Sequence, residues 1–186
     1  TGTHGVLTYT VNDDGTSCSI TDCDGAAKGE LEIPEEIDGY KVTTIGNSAF
    51  ENCGSLTSIT IPESVTSIGD GAFEYTSLTS ITIPESVTTI GDSVFKSCSS
   101  LASITIPESV TTIGNSAFES CSSLTSITIP KGVTNMGDRI FYCCSSLMSI
   151  TIAEGVKSIK SKAFFGCSSL TSITIPEGVG RIGVGA

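Results

Sequence analysis

The sequence predicts a repeat solenoid, in which similar coils stack on one another along a single axis. Phenylalanine recurs at positions 50, 73, 95, 118, 141 and 164, at intervals of 23, 22, 23, 23 and 23 residues. Around each phenylalanine the chain repeats the unit L-x-S-I-x-I-P-x-x-V-x-x-I-G-x-x-A-F-x-x-C, as in 101–121. One unit is too short to bury its own Leu, Ile, Val and Phe side chains. The coils must therefore bury them against one another.

Residues 1–28 precede the repeats and predict a cap. Residues 6–11 and 16–20 are two strand-like segments, and the Asn12-Asp13-Asp14-Gly15 segment between them is typical of a tight turn. We expect this β-hairpin to cover the N-terminal end of the core. The next coil is atypical, because its proline-to-isoleucine stretch is five residues longer than in the coil after it. The extra length predicts an outward bulge at 38–40.

Each coil begins with a strand. Ser58 and Thr60 alternate with Ile59 and Ile61, a period of two that places the isoleucines inside and the hydroxyls outside. Pro62 removes a backbone donor and ends the strand. Copies of this strand lie at 30–33, 58–61, 80–83, 103–106, 126–129, 149–152 and 172–175. Copies one coil apart must stack in parallel, about 4.8 Å per coil, which predicts a parallel sheet on the concave face.

The rest of the coil is predicted to return along the convex side. Val65 and Ile68 belong to a second, short extended piece, and Gly69 permits a turn. Asp70 is then a suitable N-cap for a short helical turn that carries Phe73. Residues 29–186 are thus expected to form one atypical coil and about six regular coils, with the last coil incomplete and without a C-terminal cap.

The unit matches the L-x-x-L-x-L template of leucine-rich repeats through Leu56, Ile59 and Ile61. More closely, I-P-x-x-V-T-x-I-G-x-x-A-F-x-x-C resembles the BspA-like leucine-rich repeats, and L-T-Y-T-V-N-D-D-G-T is similar to the cap that precedes them. This resemblance implies a secreted or cell-surface protein of a host-associated microbe, with family members that adhere to host or matrix proteins. It implies no catalytic residue, and it does not identify a ligand.

The charge of the chain disfavours several classes of partner. The net charge is −11, and nine of the twenty acidic residues lie in the first 40 positions beside one base, Lys28. Such a field repels nucleic acids and anionic membranes, which both need clustered bases. Lys157, Lys160 and Lys162 form a basic cluster that we interpret as a solvated face. No apolar run reaches the length of a membrane helix, so we expect no membrane insertion in this segment, and a monomer.

The outward positions of the strands predict a ligand-binding face. Hydroxyl residues suit any exposed strand, but they also form a continuous hydrogen-bonding surface for a protein or glycan from a host or its matrix. The candidate ligand-binding residues are Ser58, Thr60, Ser80, Thr82, Ser103, Thr105, Ser126, Thr128, Ser149, Thr151, Ser172 and Thr174, together with Met148 and Lys131, which break the repeat pattern. Ala102, Arg139 and Tyr142 also depart from it.

A second column lies beside these hydroxyls and is acidic except at one position. Its members are Glu63, Glu85, Glu108, Lys131, Glu154 and Glu177. The column is either a solvated charged edge or an attraction for a basic partner.

We expect no catalytic, metal or cofactor site. Catalysis by a Ser-His-Asp or Cys-His group needs a positioned histidine, and the one histidine is His4, in the terminal segment. Zinc is not expected, because the chain contains no C-x-x-C motif. Calcium at Asp13-Asp14 or Asp22-Asp24 is an alternative to ordinary turn chemistry, which explains the same residues.

Most of the cysteines belong to the repeat. The column Cys53, Cys98, Cys121, Cys144 and Cys167 is predicted to consist of free, buried thiols, because side chains in a ladder point the same way and fit a disulfide poorly. Cys143 is expected to be exposed. Whether Cys18 and Cys23 form a pair is left open.

The leading functional hypothesis is therefore an extracellular binding or adhesion module. A structural spacer within a larger surface protein is the alternative. Binding of ice or a crystal surface by the Ser and Thr ladders is a third, and it requires a flat sheet, whereas protein sheets normally twist.

Overall fold

The computed structural model describes residues 1–186 and consists of strands and turns without any helix. No segment forms a helix long and apolar enough to cross a membrane. The strands are β1 (Gly2–His4), β2 (Leu7–Val11), β3 (Ser17–Cys23), β4 (Gly29–Glu32), β5 (Glu36–Ile37), β6 (Tyr40–Ile45), β7 (Leu56–Thr60), β8 (Ser67–Ile68), β9 (Ser80–Thr82), β10 (Thr89–Ile90), β11 (Ser103–Thr105), β12 (Thr112–Ile113), β13 (Ser126–Ile129), β14 (Asn135–Met136), β15 (Ser149–Ile152), β16 (Ser158–Ile159) and β17 (Arg181–Ile182).

The predicted hairpin cap is present. Strands β2 and β3 pair antiparallel, and β1 adds a third strand that the sequence did not predict, with His4 opposite Leu7. On its other edge β3 pairs in parallel with β6. Cys18 and Ile20 of β3 are fully buried. The cap therefore continues the sheet of the repeats and closes the core by extending it.

The long continuous sheet is formed by the short second piece of each coil. From β6 the order runs β8, β10, β12 and β14, all parallel, and β16 pairs with β17 in the same way. The register is regular, because Thr89 faces Ser67 on one side and Thr112 on the other. Stacking in parallel with one strand per coil is thus confirmed.

The first strands of the coils form three separate pairs, β4–β7, β9–β11 and β13–β15, and all of them except β4 carry the serines and threonines. The pairs are parallel, and Ser103 faces Ser80. The continuous sheet expected here is interrupted between these pairs. Between pairs, backbone bonds remain from Thr79 N to Thr57 O at 3.1 Å and from Thr125 N to Ala102 O at 3.4 Å.

The strand predicted at 172–175 is wrong, since these residues adopt no strand. They belong to the last coil, which packs against a preceding coil only. Ile175 is 37% exposed, whereas the corresponding Ile152 is 8% exposed. Without a second neighbouring coil, residues 172–175 lack the packing that holds the equivalent segments of the other coils in strands.

The repeat phenylalanines form one stack through the core. Neighbouring ring centroids are 5.3 Å apart for Phe50–Phe73, 5.6 Å for Phe73–Phe95, 5.4 Å for both Phe95–Phe118 and Phe118–Phe141, and 5.8 Å for Phe141–Phe164. The first five of these rings are fully buried within a single cluster of 51 apolar residues. The repeat positions read from the sequence are therefore the core positions.

The segment between the second strand and the cysteine is a turn, and the helical turn predicted there is wrong. Ser116 and Ser120 have φ values of 53° and 60°, in the left-handed region that interrupts a right-handed helix. The backbone amides bond to the neighbouring coil instead, from Ser116 to Asp138 O at 2.8 Å and from Phe118 to Ile140 O at 2.9 Å. The residue spacing that suggests a helix in this segment is instead used for hydrogen bonds between coils.

The expected N-cap residue Asp70 and its counterparts Asn47, Asp92, Asn115 and Asp138 have a different role. The side chain of each accepts a hydrogen bond from the backbone amide of its counterpart one coil later. The bonds are Asn47 to Asp70 N, Asp70 to Asp92 N, Asp92 to Asn115 N, Asn115 to Asp138 N and Asp138 to Ser161 N, at 2.7–3.0 Å. We call this column the Asn/Asp ladder.

The insertion in the atypical coil folds against the cap. Asp38 and Gly39 form the turn between β5 and β6, with φ values of 53° and 83°. Tyr9 of the cap donates a 2.5 Å hydrogen bond from its hydroxyl to Asp38, and its ring centroid lies 6.4 Å from that of Tyr40. The bulge predicted at 38–40 is present, and it joins the cap to the repeats.

Candidate functional site

The predicted hydroxyl residues lie in two rows on one side of the solenoid, which we call the Ser/Thr face. Every member on a strand is exposed except Ser58, which is half-buried. The isoleucines between them, such as Ile104 and Ile127, are 8% and 5% exposed and belong to the core. Ser172 and Thr174 are exposed but belong to the irregular last coil. The strand periodicity alone thus places the hydroxyls outward.

The two rows begin with carboxylates. In the atypical coil, Glu30 faces Ser58 and Glu32 faces Thr60 in the register of β4 with β7. Both glutamates are exposed. The sequence contains these residues in a strand-like segment, but only the register shows that they continue the hydroxyl rows.

The hydroxyls of the strand positions in these rows make no hydrogen bond to the protein. Neighbouring hydroxyls do: Thr79, just before β9, donates to Thr57 O at 3.4 Å, and Ser109, after β11, donates to Val87 O at 2.8 Å. A hydroxyl carries one donor and two acceptor lone pairs. The rows therefore present unused donors and acceptors to the surrounding solution.

Two shallow grooves cross the Ser/Thr face at the breaks between strand pairs. One groove, between β7 and β9, is lined by Ser58, Thr60, Glu63, Ser80 and Thr82. The second groove, between β11 and β13, is lined by Ser103, Thr105, Ser126 and Thr128, with Glu85, Glu108, Pro107 and Pro130 along one side. The interruptions in the sheet thus coincide with concave surface that contains the candidate residues.

The acidic column follows the same edge. All its members are exposed, and Lys131 stands between Glu108 and Glu154. No member makes an ion pair, because the one salt bridge of the structure joins Lys96 to Glu74 at 3.0 Å. Met148 lies just before β15 with 59% of its surface exposed. Met148 and Lys131 therefore interrupt otherwise uniform columns on or beside this face.

All eight cysteines are free thiols. The predicted column is buried, as expected, and its thiols donate to main-chain carbonyls of the preceding coil. Cys98 donates to Phe73 O at 3.1 Å and Cys121 to Phe95 O at 3.1 Å. Burial raises the pKa of the Cys98 thiol to about 11. Cys143 is half-buried and not exposed as predicted, because the coil of Gly166 packs against it.

Cys18 and Cys23 are both buried in the cap and are unpaired. Burial and the neighbouring Cys53 thiol raise the pKa of Cys23 to about 12. No group of three or more His, Cys, Asp or Glu side chains is close enough to hold a metal ion.

A family model described as the BspA type leucine-rich repeat region, in six copies, matches residues 30–135 and 88–186. The chain belongs to the BspA-type leucine-rich repeat family. The matched copies begin after the cap and include the whole Ser/Thr face. The candidate residues therefore lie on coils of this family's repeat. No curated protein matches the chain.

Several solved structures are similar to this BspA-type chain. The T. pallidum leucine-rich repeat protein is 32% identical, with a TM-score of 0.91 over 98% of this chain and 85% of its own. A leucine-rich cell surface protein from Faecalibacterium prausnitzii is 38% identical, with a TM-score of 0.85 over 98% of this chain and 50% of its own. A Bacteroides ovatus leucine-rich repeat protein is 34% identical, with a TM-score of 0.88 over 95% and 47%. The chain thus spans about half the length of the last two proteins.

The BspA-type family is a repeat scaffold, and its similar structures include a cell surface protein. The repeat accounts for the Phe stack, the cysteine column and the Asn/Asp ladder. Because these are contacts within and between coils, they explain the fold.

Proposed function

We propose that the chain is a binding module of a secreted or cell-surface protein and that its Ser/Thr face recognises a protein or glycan. The observation that carries this proposal is the unused hydrogen-bonding capacity of the rows. Ten hydroxyl side chains on five neighbouring strands stand outward without a partner in the protein. The F. prausnitzii protein, at 38% identity, is described as a cell surface protein, which supports the proposed location.

The chemistry of the face suits a polar ligand. A single hydrogen bond between neutral groups contributes only about 1 kcal/mol, because water competes for both partners. Rows that repeat one coil apart allow many such bonds to form along an extended ligand. The groove between β11 and β13 adds Glu85 and Glu108 at its side, which favours a ligand with basic or hydroxyl groups there.

The groove between β11 and β13 gives the sharpest test. We expect the double variant Thr105→Lys, Thr128→Lys to weaken binding to a matrix protein or glycan identified with the parent chain, because two long cations would fill this groove. The matched control is Thr88→Lys, Thr134→Lys, which adds the same charge at exposed threonines outside the face. Surface plasmon resonance of both variants against the same ligand measures the effect.

The result separates binding from a spacer role. A structural spacer would make no specific contact through this face, so the chain would bind none of a panel of matrix proteins, mucins and glycans. Equal binding by both double variants would also contradict the proposal, because it would move recognition away from the Ser/Thr face.

Recognition of ice or a crystal surface remains the third candidate function. It requires hydroxyls in a flat, regular array, whereas here the strands form three separate pairs. Thermal hysteresis in an ice-growth assay, lost in the Thr105→Lys, Thr128→Lys variant, would favour this candidate over the other two.

A further inference from the structure

A cluster of basic and aromatic residues lies on the turn side of two neighbouring coils. We call Arg139, Tyr142, Lys162 and Phe165 the basic-aromatic patch. In the coil before them, the equivalent positions hold Ser116 and Glu119, whose side chains hydrogen-bond to each other at 2.7 Å. The patch therefore replaces a polar and acidic pair by a cation and an aromatic ring, twice in succession.

The four side chains are arranged as two stacked layers. The rings of Tyr142 and Phe165 are stacked, with centroids 5.3 Å apart and planes at 9°. Within each coil a cation lies over its own ring, Arg139 Cζ at 5.7 Å from the Tyr142 centroid and Lys162 Nζ at 6.0 Å from that of Phe165. These contacts hold both cations in place. The side chains therefore lose less conformational entropy when a ligand binds.

The patch is accessible. Phe165 is 51% exposed, Arg139 is exposed, and Tyr142 and Lys162 are half-buried. Between these coils and the last one, a shallow groove is lined by Lys160 and Arg181 together with Asp138, Ser161 and Val184. Lys160 occupies a position that is glycine in the other coils. Two further cations thus border the patch along the solenoid axis.

None of these cations forms a salt bridge, and Asp138 is the one acidic residue that lines the groove with Lys160 and Arg181. The single salt bridge, Lys96–Glu74, lies elsewhere. Residues 131–186 contain six of the nine bases of the chain and only three acids, while the whole chain has a net charge of −11. An acidic protein that concentrates unpaired bases in one region has a positive surface that attracts anions selectively.

We propose that the basic-aromatic patch binds a sulfated linear polysaccharide. Sulfate oxygens accept hydrogen bonds from Arg and Lys, and the planar guanidinium of Arg139 fits two oxygens of one group. Pyranose rings between the sulfates present C–H groups to the exposed ring of Phe165. Arg139 and Lys162 lie one coil apart, about 4.8 Å, so a chain with an anion on every sugar matches them better than one with a carboxylate on alternate sugars.

This site is separate from the Ser/Thr face, so it stands or falls independently of the function proposed there. The test uses the full chain and a heparin decasaccharide, with binding measured by isothermal titration calorimetry at low and moderate salt. We expect the double variant Arg139→Ser, Lys162→Ser to bind at least about tenfold more weakly. Serine occupies this position in three of the four preceding coils, at Ser48, Ser93 and Ser116, which favours folding.

The matched control removes the same charge from the other end of the chain, in Lys28→Ser, Lys41→Ser. Its affinity is expected to change by less than about twofold, because screening confines charge effects to short distances. Lys160→Gly restores the glycine of the other coils and is expected to weaken binding with the thermal midpoint preserved. A second variant, Tyr142→Glu, Phe165→Glu, is expected to lose binding.

Three results would overturn the proposal. The parent chain fails to bind the decasaccharide at low salt, the Lys28→Ser, Lys41→Ser control weakens as much as the patch variant, or polyglutamate binds as tightly as the decasaccharide. The last result would assign the patch to an acidic peptide. Hyaluronate, with one carboxylate on alternate sugars, is expected to bind more weakly than the decasaccharide.

Discussion

The side-chain carboxylate of Asp92 accepts a 2.7 Å hydrogen bond from the backbone amide of Asn115, its counterpart one coil later. This bond depends on the glycine that precedes Asn115. A Cβ atom at Gly114 would lie 2.4 Å from Asp92 Oδ1 and 2.5 Å from the carbonyl carbon of Gly91. Glycine is therefore required here by the close approach of two coils.

Gly114→Ala is accordingly expected to lower the free energy of unfolding by about 1–3 kcal/mol, since the coils have to move apart to admit the methyl group. Gly180→Ala is the matched control, because no atom lies within 4 Å of its Cβ position. Urea denaturation followed by circular dichroism measures both. Equal destabilisation by the two substitutions would show that the ladder contact does not limit stability.

The phenylalanine stack gives a second prediction. Phe118 is fully buried and stacks on Phe95 and Phe141, at 5.4 Å in each case. Phe118→Ala is expected to cost about 3–5 kcal/mol of stability, because it leaves a cavity between two coils. Phe165→Ala, at a ring that is 51% exposed, should cost clearly less. A similar loss in both variants, measured by thermal and urea unfolding, would argue against a continuous stack as the core.

The sequence predicts the arrangement of the coil well where burial decides it. Ile104 and Thr105 alternate between inside and outside because one face of a strand is buried, and the interval between phenylalanines fixes the stacking. The Asn/Asp ladder was not predicted, since Asp92 before a turn is equally suited to cap a helix. Ser116 and Ser120 take positive φ without being glycine, so nothing in the residue types distinguishes their turn from a helical turn.

The two candidate sites also differ in how far the sequence predicts them. The hydroxyl rows follow directly from the strand period, although Glu30 and Glu32 join them only through the register of β4 with β7. Arg139 and Tyr142 stand out as departures from the repeat, but their stacking with Lys162 and Phe165 is a contact between coils. Comparing equivalent positions of successive coils would have revealed the basic-aromatic patch, because a cation replaces Ser and an aromatic residue replaces Glu in both coils of the patch.

The contact between the cap and the atypical coil predicts a pH dependence. The hydrogen bond to Asp38, the largest cause, and burial raise the pKa of Tyr9 from 10.0 to about 12. The neutral phenol is thus favoured in the folded chain, so its stabilising effect is complete below pH 10.0 and is lost as the pH rises towards about 12. Absorbance at alkaline pH should show one tyrosine ionising near pH 12.

The tyrosine ionisation near pH 12 should disappear from the absorbance titration of Tyr9→Phe. It should shift to lower pH in Asp38→Asn, which removes the charge but keeps the size of the side chain. Tyr75→Phe, at an exposed tyrosine, is the control and should leave it in place. An ionisation near pH 12 that persists in Tyr9→Phe would assign the shifted pKa to another tyrosine.

The thiols supply the last prediction, because their reactivity depends on access and on the thiolate form. Burial raises the pKa of Cys98 and of Cys167 to about 11 and that of Cys121 well above its usual value, whereas Cys143 is the one half-buried cysteine. We expect Ellman's reagent to modify one thiol rapidly in the folded chain and the remaining seven only after unfolding. Cys143→Ser should remove the fast phase, and Cys121→Ser should retain it. A fast phase that survives in Cys143→Ser would mean that one of the seven buried thiols is accessible, and hence that the cap or the coils open in solution.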